Sequence, residues 1–299
     1  MSERFAFIRA HVTEHPVRRL CQVLGVSKAG YYAWQGRQAR GPSRRVQANT
    51  ELAGAIHRVH AASGARYGSP RIHAELLAQG VPCSRKRVAR VTRATQLKAK
   101  TRRRYRPAPT DSQQADPVAP NRLARQFAVA AIGAPNRVWA ADYTFIPTRE
   151  GFLDLAVVLD LYSRRVVGWA MRHTQDHVLV LDALGMAVLQ RRPGPGLMHH
   201  SDRGRQYAST AYRTRLQHLA MQASMSGVGN CWDNAVVESF FASLKTELVE
   251  GADWRTREEA RRALFAYLEV WYNRRRRHST LGYRSPAQFE QLWTAAAAA

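Results

Sequence analysis

A chain of 299 residues, 45% of them hydrophobic, is long enough for two or three domains and apolar enough to build real cores, which excludes a disordered basic tail. Its 46 Lys+Arg against 22 Asp+Glu give a formal charge of +24 and point to a polyanionic partner. The three separated cysteines, Cys21, Cys83 and Cys231, exclude a disulfide framework and any paired zinc spacing.

The charge is unevenly spread. Residues 1–110 carry 23 basic and 4 acidic side chains, whereas residues 111–299 carry 23 and 18. The first third is therefore the electrostatic handle, and the remainder holds the carboxylates available for chemistry. The longest apolar run, "LAVVLDLYSRRVVGWAM", is interrupted by Asp160, Arg164 and Arg165, and the N-terminus lacks a charged-then-apolar signal pattern. A soluble, intracellular protein of a reducing cytosol, without a membrane partner, is the expectation.

In chain order, "VRRLCQVLGVSKAGYYAW" (17–34) reads as a helix ending at Gly25 and a second capped by Ser27, a helix-turn-helix pattern within a segment of residues 1–40. A similar unit fills 45–97. There Ser69 is expected to cap, Pro70 to take the first helical position, and Gly80 to end the helix. Ser84 then caps a helix bearing Arg85, Lys86, Arg87, Arg90 and Arg93, suited to a DNA groove or backbone. Solvation of a small helical domain is the alternative for any one such helix. Two such units in a strongly basic segment favour a nucleic-acid partner. Residues 98–133 open with "KAKTRRRYR", which includes Arg102, Arg103 and Arg104, and continue through several prolines, a composition that predicts an extended linker able to track phosphates.

Beyond the linker the period changes. "RVWAADYTFIP" (137–147) is apolar on both alternating faces, as in a strand buried from both sides, and "FLDLAVVLDLYS" and "RRVVGWAM" complete an antiparallel meander. A helix over about 176–190, a short strand at "LMHH", a helix over about 209–220, a strand near "MQASMS" and a helix within "CWDNAVVESFFASLK" follow. The class is α/β: a mixed five-stranded sheet with flanking helices over 134–250, preceded by all-α units. Residues 251–299 read as a basic helical segment in which Arg274, Arg275, Arg276 and Arg277, set among aromatics, are candidate backbone contacts.

In the helix that starts within 231–245, Val237, Phe241, Leu244 and, just beyond that stretch, Leu248 recur at the spacing of one buried face. Asn234, Glu238 and Lys245 line the flank where core meets cleft. Asp233 reads as a helix cap and Glu247 as a solvated face. Asp142 lies midway along the most buried strand, where an unpaired charge is costly, and Asp202 ends a later strand. Taken singly, Asp142 fits a buried ion pair, Asp202 a turn carboxylate before Gly204, Asp160 a turn or ion pair, and His199 and His200 packing groups.

Together, Asp142, Asp202 and Glu238, the last two separated by 35 residues, resemble the aspartate, aspartate, glutamate motif of retroviral integrases and insertion-sequence transposases. "WAADYT", "HSDRGRQY", "GNCWDNAVVESFFASLKTEL" and "YNRRRRHSTLGYRSPAQF" are similar to successive motifs of the second-reading-frame (orfB) transposases of the IS3 family, as are "GVSKAGYYAW" and "YGSPRIHAELLAQG" near the N-terminus. The zinc module of retroviral integrases is missing, which favours the bacterial branch.

The resemblance implies a ribonuclease-H-like core in which Asp142, Asp202 and Glu238 hold two Mg²⁺ ions, with Mn²⁺ as a substitute, and Lys245 holds a phosphate. It implies a DNA transposase that binds element ends, frees a 3′-hydroxyl and joins it to target DNA. A homo-multimer on DNA is implied too, as is fusion or association with the upstream-frame (orfA) product. The alternatives are a nuclease of the same fold without joining activity and a non-catalytic DNA-binding regulator.

Overall fold

A computed structural model of the chain describes residues 1–101, 118–227 and 230–298. It divides into two compact units, Met1–Ala99 and Lys100–Ala299. Arg102, Arg103 and Arg104 lie outside the described residues. No helix among the described residues is long and apolar enough to cross a membrane.

The first unit is helical. Helices α1 (Ser2–His11), α2 (Val17–Val23) and α3 (Lys28–Arg40) bury Phe5, Ile8, Leu20, Cys21, Tyr31 and Trp34 against one another. Gly25, at φ +63°, makes the left-handed turn that ends α2, and the Ser27 hydroxyl caps α3 by accepting from Gly30 N at 3.0 Å. Helices α4 (Arg44–Ala62), α5 (Ser69–Ala78) and α6 (Arg85–Ala94) form a second cluster through Leu52, Ile56, Val59, Ile72, Leu76, Val88 and Val91. Ser84 caps α6 as the sequence predicts, accepting from Arg87 N at 3.3 Å. Ser69 does not cap α5. Gly68 takes the cap position and Ser69 is already helical, so Pro70 still falls in the first turn, where its missing N–H costs nothing.

In the second unit a short helix α7 (Val129–Ile132) precedes β1 (Val138–Thr148), β2 (Gly151–Asp160) and β3 (Val166–Arg172). Then come α8 (His177–Arg191), β4 (Met198–Ser201), α9 (Arg205–Ala208), α10 (Thr210–His218) and β5 (Gln222–Met225). The sheet order is β3-β2-β1-β4-β5, with β1, β2 and β3 antiparallel and β4 and β5 parallel to β1. This mixed five-stranded sheet with flanking helices is the ribonuclease-H-like architecture implied by the sequence motifs.

Trp139, Ala141, Ala156 and Val158 of the sheet pack with Leu179, Ala183 and Leu184 of α8 and with Tyr207 and Tyr212. Gly168 on β3 sets how closely α8 sits, since a Cβ there would lie 2.2 Å from Ala183 O. A 3₁₀ turn (Cys231–Asn234) leads into α11 (Ala235–Leu244), a π turn (Lys245–Val249) and α12 (Arg257–Phe265); α11 packs on β1 and α12 on β1 and β2.

The final helix α13 (Pro286–Ala297) brings in Glu290, which is buried. Its carboxylate accepts from Ser163 Oγ at 2.8 Å, Arg165 Nη1 at 2.7 Å and Arg191 Nη2 at 2.8 Å.

The predicted extended linker needs correction where it is described. Residues 118–133 dock on the sheet: Leu123 is buried, and Arg122 N and Leu123 N donate to Ser224 Oγ at 3.0 and 3.3 Å. Prolines set local backbone preference, but here the burial of Leu123 and Ile132 and the bonds of Asn121 and Arg125 to Asp233 hold the stretch against the core.

Candidate active site

The β1–β4 ladder places two carboxylates together. The last paired residues are Ala141 and Ser201, and the residues that follow them are Asp142, still on β1, and Asp202, just past the end of β4. Neighbouring strands run about 4.8 Å apart, so the two side chains leave the sheet next to each other where β4 stops and β1 continues. Both are half-buried. Loss of hydration pushes both carboxyls above their ordinary range, and the Asp202 charge pushes Asp142 further. Backbone amides oppose this, Tyr143 N donating to Asp142 Oδ1 at 2.8 Å and Gly204 N to Asp202 Oδ1 at 2.9 Å.

Helix α11 supplies the third carboxylate. Val237, Phe240, Phe241 and Leu244 are buried, so the apolar stripe read from the spacing is the packed face, with Leu248 only half-buried at its end. Asn234 Nδ2 donates to Ala141 O at 3.3 Å, which fastens the start of the helix one residue from Asp142. Glu238 is exposed on the adjoining flank, and its charge raises Asp142, though less than Asp202 does. Lys245, the first residue of the π turn, lowers Asp142. Among the described residues no three His, Cys, Asp or Glu side chains are gathered tightly enough to hold a metal ion as they stand. The structure therefore brings Asp142 and Asp202 together and leaves Glu238 at Coulombic range. Tyr207 is buried, its phenol pushed up first by that burial and then by the charges of both aspartates, and its hydroxyl has no hydrogen-bond partner among the described residues.

Several sequence readings change here. Asp233 is no helix cap. It sits inside the 3₁₀ turn, is buried, and accepts from Gly227 N at 2.8 Å, Asn121 Nδ2 at 2.9 Å and Arg125 Nε at 2.7 Å, so it fastens the segment around residue 121 to the helix approach. Glu247 is not on a solvated face. It is buried and pairs with Arg276 at 2.8 Å while accepting from Tyr267 Oη at 3.0 Å and Trp271 Nε1 at 3.1 Å.

Arg276 therefore leaves the set of backbone contacts, because its guanidinium is spent inside the unit. Arg274 and Arg275 are exposed, and Arg277 donates to Tyr283 O at 2.8 Å. In the first unit Arg85, Lys86 and Arg90 are exposed, while Arg87 is half-buried and donates to Asn49 Oδ1 at 3.0 Å. Asp160 is a turn carboxylate, accepting from Asn136 N at 2.6 Å and Tyr162 N at 2.8 Å. His199 and His200 are packing groups, hydrogen-bonded to Tyr212 Oη at 3.0 Å and Ser224 Oγ at 2.9 Å.

Asn234 and Tyr207 are the site residues that sequence reasoning missed. Spacing puts Asn234 on the flank of Glu238, but its bond to a strand carbonyl is a tertiary fact. Tyr207 lies in "HSDRGRQY" beside Asp202, and nothing in the order of residues says that it turns back under the pair.

An integrase core domain model matches residues 133–231, a second of the same description matches 219–286, and an HTH-like domain matches 47–105. The chain is 41% identical over 287 residues to the transposase InsF for insertion sequence IS3A of Escherichia coli (strain K12), covering 96% of this chain and 98% of that protein. It is also 41% identical over 274 residues to an uncharacterised 31 kDa protein of insertion element IS600 from Shigella sonnei, covering 92% and 98%. Among solved structures, the HTLV-2 integrase catalytic core domain in complex with magnesium aligns at a TM-score of 0.41 and 16% identity, covering 53% of this chain and 98% of that one. A likeness to the InsF transposases that spans nearly the full length of both chains, through the helical first unit and the integrase core alike, decides the assignment: the chain belongs to the IS3 family of insertion-sequence transposases, DNA-binding enzymes of the polynucleotidyl-transferase class.

Proposed function

We propose that Asp142, Asp202 and Glu238 form the catalytic centre of this transposase and hold its divalent cations. The observation that carries the reading is the β1–β4 register, which sets two aspartates side by side at a strand end, with Glu238 on α11 and Lys245 on the turn after it close enough for their charges to act on Asp142. The donor set fits a hard cation. It offers carboxylate oxygen only, and two carboxyls that hold each other's negative charge in check are what a divalent ion relieves. When bound, a pair of Mg²⁺ ions, or Mn²⁺ in their place, supplies Lewis-acid polarisation of the phosphoryl group and offsets charge on the attacking and leaving oxygens.

The chain's own groups do the rest. Lys245 holds a non-bridging phosphate oxygen as a point charge. Asn234, bonded to Ala141 O, fixes the start of the helix that carries Glu238 next to β1. The reaction is two in-line displacements at phosphorus, by water at the element end and then by the freed 3′-hydroxyl on target DNA. The helical first unit, with exposed Arg85, Lys86 and Arg90, grips the duplex, and Arg274 and Arg275 add backbone contacts. Pairing two element ends calls for a multimer on DNA, and the orfA product is the natural partner or fusion in the bacterial cytoplasm, at the nucleoid.

Asp142→Asn, Asp202→Asn and Glu238→Gln, assayed on a labelled element end and on a pre-cut end, test this. Cleavage and joining are each expected to fall by about a hundredfold or more while end binding persists. A variant at any of the three positions that cleaves and joins at the parental rate would remove that residue from the centre.

A further inference from the structure

An exposed aromatic pair stands on the hairpin that carries Asp142. Phe145 and Phe152 are 53% and 58% exposed, and their rings meet edge to face with centroids 5.3 Å apart. They are diagonal neighbours across the β1–β2 ladder, in which Phe145 faces Asp154 and Phe152 faces Pro147. Such a pair stabilises a hairpin. That role alone gives no reason for both rings to remain in water, because covering them would stabilise the hairpin further.

The surroundings narrow the occupant. β4 pairs with β1 only as far as Ala141, so Phe145 lies past the point where the ladder ends. Lys245 Nζ is 5.5 Å from the Phe145 ring centroid, and the same ammonium acts on Asp142. Arg257 Nε donates to Phe152 O at 3.0 Å, which holds a second cation at the backbone of the second aromatic residue. Exposed rings with an ammonium against one of them and a guanidinium bonded to the same hairpin suit a ligand that is aromatic on its faces and anionic along its edge. Nucleotides have that form, and they offer a bare face only when unpaired, since duplex neighbours cover both sides of a base.

We propose that Phe145 and Phe152, with Lys245, form a stacking subsite for unpaired bases at the end of the DNA strand that enters the Asp142–Asp202 cleft. The proposal rests on the carboxylate reading above for the presence of a DNA end at this place. On this proposal the terminal bases unpair as the duplex end enters the cleft, and the platform holds the bases so released.

The test uses the full chain carrying Asp202→Asn, with binding followed by fluorescence anisotropy. Three element-end oligonucleotides are compared: fully paired, with terminal bases unpaired, and with the same positions abasic. Adding Phe145→Ala and Phe152→Ala is expected to weaken binding to the unpaired end about tenfold, and to leave the paired and abasic ends within about twofold. Phe145→Leu, which keeps apolar bulk without a π face, is expected to behave like the alanine variant.

Equal losses on all three DNAs, no loss on any, or full rescue by leucine would each overturn the subsite. So would a change in oligomeric state with binding unchanged, since the patch would then be an interface between copies of the chain. Binding does not depend on the carboxylates being catalytic. Cleavage by the Asp202→Asn protein would therefore count against the triad while leaving the stacking result intact.

Discussion

Ser224 has three neighbours on one hydroxyl. It accepts from Arg122 N at 3.0 Å and Leu123 N at 3.3 Å, so its own hydrogen is left for His200 Nδ1 at 2.9 Å. That arrangement makes Nδ1 the acceptor and puts the imidazole proton on Nε2. Burial lowers His200 to about 4, and burial with the neighbouring His200 charge lowers His199 to about 3. An unfolded histidine titrates near 6.5, so as pH falls below that value the unfolded chain takes up protons that the folded chain refuses. The stability held by neutral burial is complete above about pH 6.5 and is lost progressively toward pH 4. Urea midpoints are expected to be level between pH 7 and 8 and to drop by pH 5. His200→Gln should flatten that slope, and an unchanged slope would deny His200 this part.

At the scale of elements, α11 and the turn after it have two anchors. Asn234 ties the start to Ala141 O, and Glu247 ties the end to Arg276, Tyr267 and Trp271. Removing one partner of a buried pair strands the other, so Glu247→Ala should cost about 3–5 kcal/mol by denaturant unfolding. Glu238→Gln on the exposed flank of the same helix should change stability by no more than about 0.5 kcal/mol.

These residues also mark how far the sequence could be read. The strands, the helix faces, the Ser27 and Ser84 caps and the flank shared by Asn234, Glu238 and Lys245 follow from local periodicity, because each depends on residues a few positions away. The roles of Asp233 and Glu247 did not follow, because their partners Arg125 and Arg276 come from 108 and 29 residues away. Nothing local separates Arg276 from the arginines beside it, and only burial does. The docking of residues 118–133 was hidden for the same reason, since proline content is local and contact with Ser224 is not. The aspartate pair was legible as two candidates, and the register of β1 with β4 is what turns them into neighbours.

Across the whole molecule, a formal charge of +24 and an excess of basic residues before position 110 call for affinity dominated by released counterions. The logarithm of the DNA association constant should fall linearly with the logarithm of salt, with a slope of about −0.9 for each phosphate neutralised. Replacing exposed Arg85, Lys86 and Arg90 together by alanine should reduce the slope by about 2 to 3 in an anisotropy series. Arg87→Ala should move it less and lower stability more, because its guanidinium already serves Asn49.

Glu290 adds a temporal order to this architecture. The residues it satisfies, Ser163, Arg165 and Arg191, leave the ribosome roughly a hundred or more positions ahead of it. A nascent chain therefore has both aspartates in hand while the turn after β2 and the end of α8 still wait for their shared acceptor. Translation must pass Glu290 before that clasp can shut, so the turn after β2 and the end of α8 take their final hold only after all five strands have been made.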